Sequence, residues 1–191
     1  MSADAEVLSP EAIRLGLTAA GKRDAIVQCG QALVEIGAVT HEYIESMCER
    51  ENGVSTFVGR GVSIPHGTES ARQYVRRTAL AVLQFPAGVD WAGDPVSVCV
   101  AIAADGDKHV GLMSMLAQLL LDERRAEELC TADDPQVVLD LLRGDSGRGA
   151  DEPRPIAPNR PTAPTMRRPT SVRARLGYPP APRGSSATLR K

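Results

Sequence analysis

The sequence predicts an α/β fold, a three-layer-like sandwich in which helices flank a mixed sheet, forming a single domain with a disordered C-terminal tail. Three observations lead there. Segments with apolar residues at three- and four-residue spacing alternate with short β-rich runs. One such run, 96–104, is so continuously apolar that both of its faces must be covered, which places it centrally in a sheet. The composition also changes abruptly after Gly144: residues 1–144 hold 12 Lys/Arg against 21 Asp/Glu, a net of −9, whereas 145–191 hold 10 against 3, a net of +7, together with nine of the 14 prolines.

The elements follow in order. In 22–37, Ile26, Cys29, Leu33 and Ile36 share one helical face and Gly37 is placed to end the helix. After Thr40, a candidate N-cap, HEYIESMCERENG reads as a second helix with Tyr43, Ile44, Met47 and Cys48 inward, Arg50 near its end and Gly53 as its stop. Short strands are expected at 54–58 and 62–64 across the Gly59-Arg60-Gly61 turn, closed by Pro65 and Gly67. A strand at 78–85, a turn at 86–94 and the apolar strand at 96–104 come next. Residues 109–121 are apolar nearly all round and predict a buried helix, followed by shorter helices at 123–130 and 135–142. The strands near residues 55 and 80 are separated by too little helix for simple parallel crossovers, hence the mixed sheet.

The domain is therefore expected at 1–144. The Pro-, Arg-, Ser- and Gly-rich segment 145–191 has too few large apolar residues to offset its ordering entropy and is expected to be disordered. Its ten cations would suit anionic lipid or RNA, but no nucleic-acid partner is expected. Cys29, Cys48, Cys99 and Cys130 form no CxxC pair and no metal-ligand spacing, and read as buried free thiols in a reducing cytosol. The acidic start MSADAEVLSPE is not a signal peptide, and no apolar run reaches membrane-span length.

With three histidines, each can be weighed. His66 lies in Gly61-Val62-Ser63-Ile64-Pro65-His66-Gly67-Thr68, a glycine-bounded turn after a strand, where a rigid loop can present a reactive ring. A neutral imidazole can take a phosphoryl group on nitrogen and pass it onward. By spacing alone, a histidine between proline and glycine is an ordinary turn residue. His109 opens the long apolar helix after an acidic stretch, where a helix start favours an anion, although a lone histidine there is commonly a capping or packing residue. Arg50 sits in the charge run Glu49-Arg50-Glu51, ordinarily a solvated helix end, yet an arginine fork suits a phosphoryl oxygen. His41 begins HEYIE, but Glu45 replaces the second histidine of a zinc-protease helix, and it is given no role. The chain has no P-loop, Ile64 breaks a dinucleotide fingerprint, and no carboxylate cluster reads as a metal site; neither cofactor nor metal is expected.

The run Ser55-Thr56-Phe57-Val58-Gly59-Arg60-Gly61-Val62-Ser63-Ile64-Pro65-His66-Gly67-Thr68 resembles the phosphorylation-site segment of type-2 enzyme IIA domains of the sugar phosphotransferase system. Arg50-Glu51, Gln84-Phe85-Pro86-Ala87-Gly88-Val89-Asp90-Trp91, and Ile102-Ala103-Ala104 with Asp107-Lys108-His109 agree in order, so that the resemblance covers about 7–143. It implies a phosphotransferase acting as a phosphohistidine relay: His66 accepts a phosphoryl group from the phosphocarrier HPr and passes it to a cysteine of the IIB domain of a membrane sugar permease. It further implies that His109 is the second active-site histidine, that Arg50 assists transfer, and that the sugar never touches this domain. QFPAGVDW resembles the mannitol branch more than the fructose or nitrogen-regulatory branches. The expected setting is cytoplasmic, with transient association with the permease; the alternative is a regulatory, nitrogen-type module not coupled to transport.

Overall fold

The computed structural model describes residues 7–104 and 106–144; the tail expected at 145–191 lies outside the described residues. A 3₁₀ turn at Pro10–Ala12 leads into β1 (Ile13–Arg14), α1 (Lys22–Glu35), α2 (Tyr43–Gly53), β2 (Phe57–Gly59) and β3 (Val62–Ser63). A 3₁₀ helix, Glu69–Tyr74, precedes β4 (Ala79–Trp91), β5 (Asp94–Ala103), α3 (Gly106–Leu121), α4 (Glu123–Thr131) and α5 (Pro135–Arg143). The strands form one mixed sheet in the order β1-β4-β5-β3-β2, with β1 parallel to β4, β5 antiparallel to β4, β3 parallel to β5 and β2 antiparallel to β3. β5 is central, as its unbroken apolar run requires, and Val96 and Val98 to Ala103 are fully buried.

The helices end as their residues dictate. Past α1, Gly37 takes a left-handed φ of 69° and donates to Val34 O at 2.8 Å, while Ala38 N reaches Leu33 O at 2.9 Å, the paired bonds of a Schellman stop. Gly30 lets α1 and α2 touch: a Cβ there would lie 2.8 Å from Ile44 Cγ1. Asp122 and Asp134 cap α4 and α5 by accepting backbone N–H groups.

Five expectations are corrected. The strand after Ala79 does not stop at residue 85 but continues to Trp91, because the register shifts between Gln84 and Val89, so that Pro86 owes the ladder no N–H. The turn shrinks to Ala92-Gly93, both at positive φ (62° and 102°) as a two-residue hairpin favours, and Gly93 N donates to Asp90 Oδ1 at 2.8 Å. Thr40 is not a side-chain cap: no side-chain oxygen caps this helix, Thr40's carbonyl accepts from Tyr43 N in a turn, and the helix proper starts at Tyr43. α3 is not buried all round. Leu116 and Leu119 face the core, but Val110 is 67% exposed and Leu121 81%, since a helix laid on a sheet has one covered side. Finally, Cys130 is only half-buried on α4, whereas Cys29, Cys48 and Cys99 are buried as expected, and all four thiols are free.

Candidate functional site

β3 runs parallel to β5, and their pairing extends past Ser63: Ile102 N donates to Pro65 O at 3.0 Å and His66 bridges to Ile102. This puts His66 at the carboxyl ends of two parallel strands, the edge where α/β sheets generally present their ligands. The loop is held from below by Tyr43, which is buried in α2. Its hydroxyl donates to Ile102 O and accepts from Gly67 N, both at 2.9 Å. Only glycine fits at 67, because a Cβ would stand 2.6 Å from Tyr43 Cε2 and 2.7 Å from Ser46 Oγ.

The His66 ring is oriented by one hydrogen bond, from Nδ1 to Ile64 O at 2.8 Å. A carbonyl can only accept, so the neutral ring carries its proton on Nδ1 and its lone pair on Nε2. The first turn of α3 brings His109 alongside, with ring centroids 4.9 Å apart and planes inclined by 55°. Arg50, at the end of α2, donates through Nη1 to Val54 O at 2.8 Å rather than sitting in an ion pair with its charged neighbours. Together with Tyr43, Thr68 and Arg72, these three predicted residues line one open cavity of about 200 Å³. The fold thus brings His66, His109 and Arg50 together from three separate elements. His41 is exposed and is absent from the cavity wall.

Sequence reasoning gave no role to Tyr43, Thr68 or Arg72. Tyr43 carried only the signature of a core face, and Arg72 lies in a 3₁₀ helix that periodicity does not reveal. Thr68 alone carried a signal, since it belongs to the quoted run around His66. Arg72 also pairs with Glu69 at 3.3 Å, an exposed contact worth little to stability. A larger cavity of about 850 Å³, with an apolar floor including Leu80, Met115 and Leu119, contains no histidine or cysteine among its described residues, so size does not decide the site; chemistry does.

Burial pushes the pKa of His66 below its ordinary 6.5, against the raising effect of the Ile64 carbonyl, and the nearby Arg50 and His109 add to the lowering. His109 is lowered by burial first and then by Arg72 and Arg50. Both rings are therefore neutral at neutral pH. The unfolded chain binds the extra protons just below 6.5, so these histidines make folding stability rise with pH through that window and level off above it. Denaturant titrations across the window should show this slope, reduced in His66→Gln; stability falling as pH rises there would refute it.

A neutral, partly desolvated imidazole beside a second histidine and two guanidinium groups is equipped to take up and return a phosphoryl-sized anion, which defines a histidine-based group-transfer class on an α/β sandwich. Comparison with known proteins narrows this. Residues 6–144 match the family model described as phosphoenolpyruvate-dependent sugar phosphotransferase system, EIIA 2, and the chain belongs to that family. It is 44% identical over 139 residues to a multiphosphoryl transfer protein of Xanthomonas campestris pv. campestris, a match covering 72% of this chain and only 17% of that much longer relative. It is 41% identical over 127 residues to a mannitol-specific phosphotransferase enzyme IIA component of Staphylococcus aureus, covering 66% of this chain and 88% of the relative. Among solved structures, the Escherichia coli complex of enzyme IIA-Mtl with phosphorylated enzyme IIB-Mtl matches with a TM-score of 0.67 at 32% identity, covering 72% of this chain and 99% of the matched one. Among the described residues no helix is long and apolar enough to cross a membrane.

Proposed function

We propose that this chain is a phosphoryl carrier for mannitol uptake, with fructose as the nearest substitute, which accepts its phosphoryl group from phospho-HPr on His66 Nε2 and delivers it to a cysteine of a IIB domain. One observation carries the assignment of the atom: Nδ1 is committed to Ile64 O, which leaves Nε2 with the free lone pair. The mannitol assignment rests on the mannitol-specific relative of Staphylococcus aureus and on the likeness to enzyme IIA-Mtl in its complex with phosphorylated enzyme IIB-Mtl from Escherichia coli.

In the accepting step the Nε2 lone pair attacks phosphorus in line, a new N–P bond forms, and the donor's N–P bond breaks with its electron pair returning to the donor histidine. In the delivering step a cysteine thiolate attacks, an S–P bond forms, and His66 recovers its lone pair with no net change in protonation. Arg50, Arg72 and His109 surround the place where negative charge spreads over the three equatorial oxygens. No nucleotide or metal is required. The setting is cytoplasmic, docking transiently to a membrane permease.

The test is reconstitution of the full chain with phosphoenolpyruvate, enzyme I and HPr, followed by addition of a mannitol or a fructose IIB domain. The expected result is one acid-labile phosphoryl group per chain, discharged faster to the mannitol IIB. Labelling that no IIB discharges would favour the regulatory, nitrogen-type reading, and the absence of labelling would refute both.

A further inference from the structure

Beside Arg50 lies a buried carboxylate that the transfer mechanism does not use. Glu51 is only 4% exposed, yet it is held ionised by four donors from three other segments. Its Oε1 accepts from Trp91 Nε1 at 2.8 Å and from Lys22 Nζ at 3.3 Å, while its Oε2 accepts from Thr56 N at 2.8 Å and from Thr56 Oγ1 at 2.5 Å. Burial pushes its pKa up, but the Thr56 hydrogen bonds and Lys22 outweigh that and leave the carboxyl below its ordinary 4.5.

Thr56 carries the connection onward. Its hydroxyl also meets Ser63 Oγ at 2.9 Å, and its carbonyl accepts from Ile64 N at 2.9 Å. Ile64 O in turn accepts from His66 Nδ1. A path of hydrogen bonds, joined through the backbones of Thr56 and Ile64, therefore runs from Glu51 to the nitrogen that sets the tautomer of His66. The same carboxylate anchors the 51–56 segment, whose Val54 carbonyl receives the Arg50 guanidinium.

We infer that Glu51 is a positioning residue for phosphoryl transfer, acting through Thr56 and Ile64 to hold His66 as the Nδ1–H tautomer and through the 51–56 segment to aim Arg50. The inference rests on the reading of His66 as the phosphorylated residue. A carboxylate that only stabilised the fold would not affect the tautomer; this one should. Glu51→Gln keeps the shape but places an amide NH₂ against a donor, either at Thr56 or at Trp91 and Lys22. Thr56→Val keeps the shape of the residue and replaces its hydroxyl with a methyl that can neither donate to Glu51 nor bond Ser63.

The experiment uses the full chain in three variants, Glu51→Gln, Thr56→Val and Thr56→Ser, each checked for folding by thermal unfolding. Two quantities are read: the ¹⁵N chemical shifts of the His66 ring, and the rate of phosphorylation by phospho-HPr split into kcat and KM. Glu51→Gln and Thr56→Val should mix the two tautomers and lower kcat on the order of 10- to 100-fold, by analogy with the loss of groups that orient metal-bound histidines, with KM nearly unchanged. Thr56→Ser should restore both the single tautomer and the rate. Folded variants with a single Nδ1–H tautomer and an undiminished kcat would overturn the inference and leave the phosphocarrier reading intact. If Glu51→Gln does not fold, the Thr56 pair decides. If the unsubstituted chain is not labelled on His66, the underlying reading fails instead.

Discussion

Replacing His66 with alanine is expected to abolish phosphoryl acceptance while leaving the fold in place. The ring is half-buried at the end of β3, and its polar contact is the Nδ1 bond to a carbonyl two residues back. Losing one such bond costs about 1 kcal/mol. Losing the nucleophile removes the covalent step itself, with a rate effect on the order of 10⁶-fold, the scale known for deleting a covalent nucleophile. Incubation of His66→Ala with phosphoenolpyruvate, enzyme I and HPr should leave no acid-labile phosphate on the chain. Undiminished label on the alanine variant would transfer the role to another residue, with His109 the nearest imidazole.

Arg50→Ala is expected to slow transfer by about 10²- to 10³-fold, or roughly 3–4 kcal/mol of transition-state stabilisation, the range for removing one preorganised charge-stabilising donor. Stability should change little, because the guanidinium is partly exposed and holds a single carbonyl, that of Val54. Arg50→Lys should recover only part of the rate, since an ammonium lacks the planar fork that engages two oxygens at once. Steady-state and single-turnover rates with phospho-HPr decide the matter. A wild-type rate in Arg50→Ala would return this residue to the ordinary helix-end arginine that the run Glu49-Arg50-Glu51 first suggests.

Much of the fold was legible because local rules operate undisturbed where Gly37 stops α1 and where the run at 96–104 demands cover on both faces. Legibility failed where tertiary pairing overrode local preference. Pro86 and Gly88 spell a turn, but a register shift against β5 absorbs them into β4. Thr40 looks like a cap, but its hydroxyl accepts no N–H of the helix start, which lies three residues further on. The apolar sequence of α3 suggests full burial, whereas docking on a sheet covers one side only.

The site divides in the same way. His66 stood out as a candidate through the resemblance carried by its run, since by spacing alone a histidine between proline and glycine is an ordinary turn residue. Which groups meet that ring, and in what state, is set by packing alone. The approach of His109 to 4.9 Å and the Tyr43 hydroxyl beneath the loop join residues far apart in sequence, and the Glu51–Thr56–Ile64 path to Nδ1 crosses from the end of α2 to β3. Hydrogen-bond direction and desolvation depend on packing across the sheet, and neither is encoded in any local window of the chain.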